Sequence, residues 1–254
     1  MNNVENRFLL VLAIIGVSLA GGAFALSWQP SNQFFDFSPA NDGFVAPRDI
    51  SKVVNKTQDS TVLVTCEVSK DESWIGTGWA IDSSLLQKPS DKTTIMTNFH
   101  VIDECIEGRG KVSIALLYEK NQHAEILNYD KRNDLAVLTT DIEIPPLELS
   151  KNELWPGYWV MALGSAASYE GSVAFGNVLN ITVENILITN NVSQGNSGGP
   201  LVDNEGKVVG MVTWQSDVEG DQFNGARILD VFCENILLCE YEFKGDKTWF
   251  NYEE

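Results

Sequence analysis

Three residues in this 254-residue chain have the types and the order needed for nucleophilic catalysis: His100, Asp134 and Ser197. Ser197 sits in Gly195-Asn196-Ser197-Gly198-Gly199-Pro200, where flanking glycines let the backbone turn tightly and aim consecutive N–H groups into one small concavity. A hydroxyl beside such donors can attack a carbonyl while they hold the developing oxyanion. The same six residues also suit a plain glycine-rich hairpin turn. A serine hydroxyl is a weak nucleophile near neutral pH, so the catalytic reading needs a base within hydrogen-bond reach and a carboxylate to orient it. Only His100 and His123 carry imidazole; His100 closes the strand-like run Thr94 to Ile102, and Asp134 directly precedes the apolar run Leu135 to Leu138. Singly, these are an ordinary strand-end histidine and an ordinary turn aspartate. Together, in the order His, Asp, Ser and 34 and 63 residues apart, they match one known solution to the triad problem.

The elements that must position them read as an all-β fold. Short apolar runs separated by turn residues recur at Thr61–Val68, Gly78–Ile81, Thr94–Asn98, Val112–Leu117, Leu135–Thr139, Tyr158–Leu163, Ser172–Leu179, Asn185–Ile188, Val208–Trp214 and Gly225–Ile228. This is the texture of β-barrels, with Gly76-Thr77-Gly78 and Gly171 at corners where strands bend. One segment, Ile228–Leu238, has helical spacing and is expected to pack outside the barrels.

Four stretches in this order resemble the trypsin-like serine proteases, most closely the HtrA or Deg branch: Gly76 to Asp82, Thr97 to Ile102, Asn133 to Leu138 and Gly195 to Pro200. Lesser matches are Ala162-Leu163-Gly164, Ser172 to Gly176 and Gly210 to Trp214, so the resemblance spans residues 60 to 230. It implies two orthogonally packed six-stranded antiparallel β-barrels with a C-terminal helix. His100 and Asp134 then come from the first barrel and Ser197 from the second, and the cleft between them is the active site. In that reading His100 is general base, Asp134 orients it, and the N–H groups of Gly195 and Ser197 form the oxyanion hole. Asn191 falls near the floor of the primary specificity pocket, and Thr213, Trp214 and Gln215 join it as substrate-binding positions, with Gly225 and Ala226 on the pocket walls. The Thr213 hydroxyl resembles the one that supports the buried carboxylate. Asn191 carries no charge, so a neutral substrate side chain of small or medium size is expected rather than Lys or Arg. About fifteen residues follow the helix, so the PDZ domain of that branch is not expected.

Composition limits the classes of partner and compartment. Thirty-five acidic residues against seventeen Lys and Arg give a net charge of −18, with no basic stripe to follow a phosphate backbone, so nucleic acid is not an expected partner. Residues 1–25 hold an uncharged apolar run from Phe8 and end in Ala23-Phe24-Ala25, a small-any-small site; they read as a cleaved secretory signal or an uncleaved membrane anchor. Residues 26–49, rich in Ser, Asn, Pro and Phe, read as a linker or arm, and 50–254 as the protease domain. The chain is therefore expected to be secreted or periplasmic, and membrane-bound only if the first segment is retained.

An oxidising compartment favours pairing of Cys66, Cys105, Cys233 and Cys239, for which three connectivities exist. A bridge between Cys233 and Cys239 requires the helix to end between them, because six helical residues separate their α-carbons by about 9 Å along the axis. No CxxC pair is present, and neither metal nor cofactor is expected. The leading function is a serine endopeptidase acting on protein or peptide substrates through an acyl-enzyme. Two others compete: a catalytically silent binding module on the same fold, and an esterase, which lacks the strand-turn-helix elbow of α/β-hydrolases.

Overall fold

The computed structural model describes residues 43–215 and 223–239. The expected signal or anchor segment, residues 26–42 of the arm, the acidic stretch containing Asp217, Glu219 and Asp221, and residues 240–254 lie outside the described residues. Twelve described strands form two closed antiparallel barrels of six. The first contains β1 (Thr61–Ser69), β2 (Glu72–Ile81), β3 (Thr93–Thr97), β4 (Lys111–Ala115), β5 (Gln122–Asp130) and β6 (Leu135–Thr140). Its strand order is β1-β2-β3-β6-β5-β4, closed by β1 against β4. The second contains β7 (Trp159–Gly164), β8 (Ser172–Ile181), β9 (Asn185–Ile188), β10 (Pro200–Val202), β11 (Val208–Gln215) and β12 (Asn224–Ile228). Its order is β10-β11-β12-β9-β8-β7, closed by β10 against β7.

The burial of β6 and β7 explains why their runs are apolar on both faces. Ala136 and Leu138 of β6 point into the first barrel, and Val160 and Ala162 of β7 point into the second. The alternate residues, Leu135, Val137, Trp159 and Met161, belong to a third core that lies between the barrels. A strand buried on both faces has no polar alternation to show, because period-two patterning arises only when one face meets water.

Three described α-helices flank the barrels. Helix α1 (Ile50–Asp59) is opened by the Asp49 carboxylate, which accepts the Lys52 N–H at 3.0 Å, and it sends Val53 into the core between the barrels. The sequence reading assigned no helix there. Helix α2 (Phe99–Ile102) is a single turn, and helix α3 (Leu229–Asn235) buries Leu229, Val231 and Phe232 in the core between the barrels. Because α3 ends at Asn235, Cys233 can bridge to Cys239, their α-carbons 5.3 Å apart; the second bridge joins Cys66 to Cys105. The tail after α3 is stitched to the first barrel's periphery, with Leu238 N–H donating to Leu85 at 2.6 Å and Gln87 N–H to Ile236 at 3.2 Å. Residues 43–45, which the sequence reading placed in the arm, rest on the second barrel: Trp159 N–H donates to the Gly43 carbonyl at 2.7 Å and Asn204 Nδ2 to the Val45 carbonyl at 2.9 Å. Among the described residues no helix is long and apolar enough to cross a membrane.

Candidate active site

His100 does not end a strand, as its apolar run suggested, because β3 stops at Thr97 and Asn98 caps the single turn of α2. Phe99, Val101 and Ile102 are buried around that turn, while the imidazole of His100 points outward with 48% of its side chain exposed. Asp134 lies immediately before β6, as expected, and closes a turn in which the Asp130 carboxylate accepts the N–H groups of Arg132 and Asn133 at 3.0 and 3.2 Å. Its φ is +57°, a left-handed conformation that Asp and Asn tolerate better than other non-glycine residues. That conformation brings the Asp134 carboxylate to His100 at two points. Oδ1 accepts the His100 backbone N–H at 2.9 Å, and Oδ2 lies 2.8 Å from Nδ1. With the Asp134 side chain only 20% exposed, the pair has one wet edge, and with Nδ1 protonated the other ring nitrogen, Nε2, is left with its lone pair.

Ser197 lies half-buried in the turn that leads into β10, and its carbonyl accepts the Thr77 N–H of β2 at 2.8 Å. Its backbone thus abuts the strand whose Gly76 packs under Val101, the residue following His100. The turn requires glycine: Gly195 and Gly198 have φ of +94° and +84°, and a β-carbon would strike the Ser165 carbonyl at the first and the Thr77 carbonyl at the second. Four successive carbonyls of this turn are each held. Gln194 accepts from Ala167 N–H at 2.8 Å, Gly195 from the Thr77 hydroxyl at 2.6 Å, Asn196 from Gly199 N–H at 2.9 Å, and Ser197 from Thr77 N–H. Among the described residues, the N–H groups of Gly195 and Ser197 have no acceptor, and the Ser197 hydroxyl makes no hydrogen bond to His100.

The sequence-predicted pocket residues separate into two groups. Asn191 is exposed, whereas Asn190 beside it is buried and donates Nδ2 to the Ala174 and Val160 carbonyls at 2.7 and 3.1 Å. Trp214 in β11 lies over Gly225, where any β-carbon would meet its indole, and Gln215 pairs with Asn224. Thr213 is turned inward: its hydroxyl donates to the Met211 carbonyl at 2.9 Å and approaches Asn98 Nδ2 at 3.4 Å, so no direct bond joins it to the Asp134 carboxylate. Ala226 is fully buried in the second barrel's core. Three residues absent from the sequence reading of the site take part in holding it. They are Thr77, Asn98, whose Nδ2 donates to the Asp134 carbonyl at 2.8 Å, and Asn224, whose Nδ2 donates to the Asn190 carbonyl at 2.7 Å. Asn98 and Thr77 lie inside stretches that carried the family resemblance, but residue type alone gave neither a role. Among the described residues no cluster of three or more His, Cys, Asp or Glu side chains is arranged to hold a metal ion.

Comparison with known proteins bears on the same region. Residues 76–211, more than half the chain, match the family model described as a trypsin-like peptidase domain. A probable periplasmic serine endoprotease DegP-like from Hahella chejuensis is 35% identical over 127 residues, covering 46% of this chain and 26% of that protein. The protein of the same description from Halomonas elongata is 32% identical over 153 residues, covering 56% of this chain and 30% of that protein. The chain thus spans less than a third of the length of these two relatives. The crystal structure of the Rv3671c protease from M. tuberculosis in its active form superposes with a TM-score of 0.62 at 22% identity, covering 75% of this chain and 86% of that one, a likeness of fold.

Proposed function

This chain belongs to the trypsin-like peptidase domain family, and from that premise we propose that it is a serine endopeptidase that cleaves protein or peptide substrates outside the cytoplasm. The observation that carries the reading is the two-point grip of Asp134 on His100, which fixes the imidazole with Nδ1 toward the carboxylate and Nε2 free to take a proton. Nε2 removes the Ser197 hydroxyl proton as the oxygen adds to the scissile carbonyl, and Asp134 stabilises the imidazolium that results. The unpaired N–H groups of Gly195 and Ser197 receive the developing oxyanion; each such donor is worth on the order of 100 to 1,000-fold in rate. The imidazolium then gives its proton to the leaving amine, which departs as the C–N bond breaks, and water adds to the acyl-enzyme by the same route in reverse. Hydrogen bonds between nucleophile and base are often long without substrate and tighten in the Michaelis complex, so the peptidase reading does not require a Ser197–His100 hydrogen bond in the free protein.

Export is proposed on two grounds: both cysteine pairs are oxidised, and the relatives matched are named periplasmic. The uncharged Asn191 and Asn224 support a neutral primary pocket. A second reading, a silent binding module on the same fold, takes its support from the absent Ser197–His100 hydrogen bond. Fluorophosphonate labelling of the purified protein separates the two. Labelling that disappears in both Ser197→Ala and His100→Ala is expected for the peptidase, while an unreactive wild type, even with peptide present, favours the module.

A further inference from the structure

We propose that Thr77 is the positioning residue of the oxyanion hole: a first-barrel side chain that sets the orientation of the second barrel's Gly195 and Ser197. The inference rests on the peptidase reading above. Thr77 is fully buried, and each of its polar groups has a partner. Its N–H donates to the Ser197 carbonyl at 2.8 Å, and its carbonyl accepts the Thr97 hydroxyl at 2.7 Å. Its own hydroxyl donates to the Gly195 carbonyl at 2.6 Å while accepting the Ser165 N–H at 3.0 Å.

A peptide unit is planar, so fixing a carbonyl fixes the N–H of the residue after it in the opposite direction. Ala167 pins the Gln194 carbonyl and thereby aims the Gly195 N–H; Gly199 pins the Asn196 carbonyl and aims the Ser197 N–H. The peptide joining those two units begins at the Gly195 carbonyl, which accepts the Thr77 hydroxyl, and ends at the Asn196 N–H, which donates to the Ser193 carbonyl at 3.0 Å. Gly195 also lacks the β-carbon that would restrain its backbone, and its φ is +94°. Among the described residues, the carbonyl end of this unit is therefore held by the Thr77 hydroxyl alone, and that hydroxyl also ties down Ser165, whose carbonyl sits where a β-carbon on Gly195 would go.

The test uses Thr77→Val, which keeps the shape and removes the hydroxyl, and Thr77→Ser, which keeps the hydroxyl. Thr94→Val is the control: it deletes another fully buried hydroxyl, bonded to the Ile81 carbonyl at 2.8 Å, at the far end of the same strand pair. Thr77→Val is expected to lower kcat on a peptide substrate on the order of 100-fold with KM within about twofold, because misplacing a stabilising group costs turnover rather than binding. Thr77→Ser and Thr94→Val should keep wild-type kcat, and the carbonyl carbon resonance of Gly195 should move in Thr77→Val alone. Wild-type turnover in Thr77→Val, or an equal loss in Thr94→Val, overturns the proposal. If the wild type itself turns over nothing, the peptidase reading fails separately, and an unmoved Gly195 carbonyl resonance in Thr77→Val then overturns the assignment of Thr77.

Discussion

Asn98 donates its side-chain amide to the carbonyl oxygen of Asp134 at 2.8 Å, tying the residue that opens the His100 turn to the residue whose carboxylate receives His100. Asp134 occupies a left-handed backbone conformation that costs an L-residue roughly 1–2 kcal/mol, so it persists only where neighbours hold it. Asn98→Ala removes that hold. Turnover is expected to fall by about tenfold or more with little change in KM, since the pair would be misplaced rather than abolished. The downfield proton resonance of His100 Nδ1 should weaken in parallel. An Asn98→Ala protein with an unaltered Nδ1 resonance and full turnover would show that Asp134 holds its conformation unaided.

Gly198 offers a test of the turn itself. Alanine there places a methyl group against the Thr77 carbonyl and the Thr97 hydroxyl at a φ of +84°. Strain and collision together are expected to cost roughly 2–4 kcal/mol of stability. Urea unfolding reads the loss, and a midpoint shift worth under about 0.5 kcal/mol would mean that the first barrel yields more easily than its packing suggests.

The two disulfides should differ in worth. Cys66–Cys105 closes 39 residues and staples β1 to the segment following α2, whereas Cys233–Cys239 closes only six. On loop-closure entropy the first contributes about 3–4 kcal/mol and the second about 2 kcal/mol. Paired Cys→Ala replacements, one bridge at a time, are compared by denaturant titration; a reversed order would refute the entropic ranking.

Asp203, in the turn between β10 and β11, gives a pH prediction away from the site. Burial pushes its carboxyl above the ordinary value of 3.8, and the Lys207 N–H, the Ser150 hydroxyl and the Glu205 N–H pull the other way. Glu205 also raises it, and the Lys207 ammonium bonds that Glu205 at 2.7 Å. A raised carboxyl favours the fold when protonated, so this contribution is complete below 3.8 and is lost as pH climbs through the elevated value. Asp203→Asn cannot ionise and keeps an oxygen for the two N–H groups. It should therefore be more stable than wild type at neutral pH, with the gain shrinking in acid. A variant less stable than wild type at both extremes would contradict this.

The apolar runs disclosed most of the two barrels because strands facing a core declare themselves by residue type. Two strands escaped for opposite reasons. In β5, Ala124 is the only fully buried side chain and a bulge falls between Ile126 and Asn128, so no alternation survives to be read. In β10 three residues begin with Pro200 inside the glycine-rich motif and look like its tail. The run through Phe99 to Ile102 misled in another way: its side chains are buried around a helical turn, and unbroken apolarity carries no period to distinguish strand from helix. His100, Asp134 and Ser197 were legible as types and spacings. Thr77 and Asn98 were not, because their importance lies in which carbonyl each one meets.

Phe232 and Leu237, from the final described segment, close the core shared by β2, β3 and β6 with β7, β10 and β11. During synthesis that core stays open until nearly all of the described chain has emerged. A chain interrupted before that segment holds His100 and Asp134 but lacks the side chains that complete the shared core.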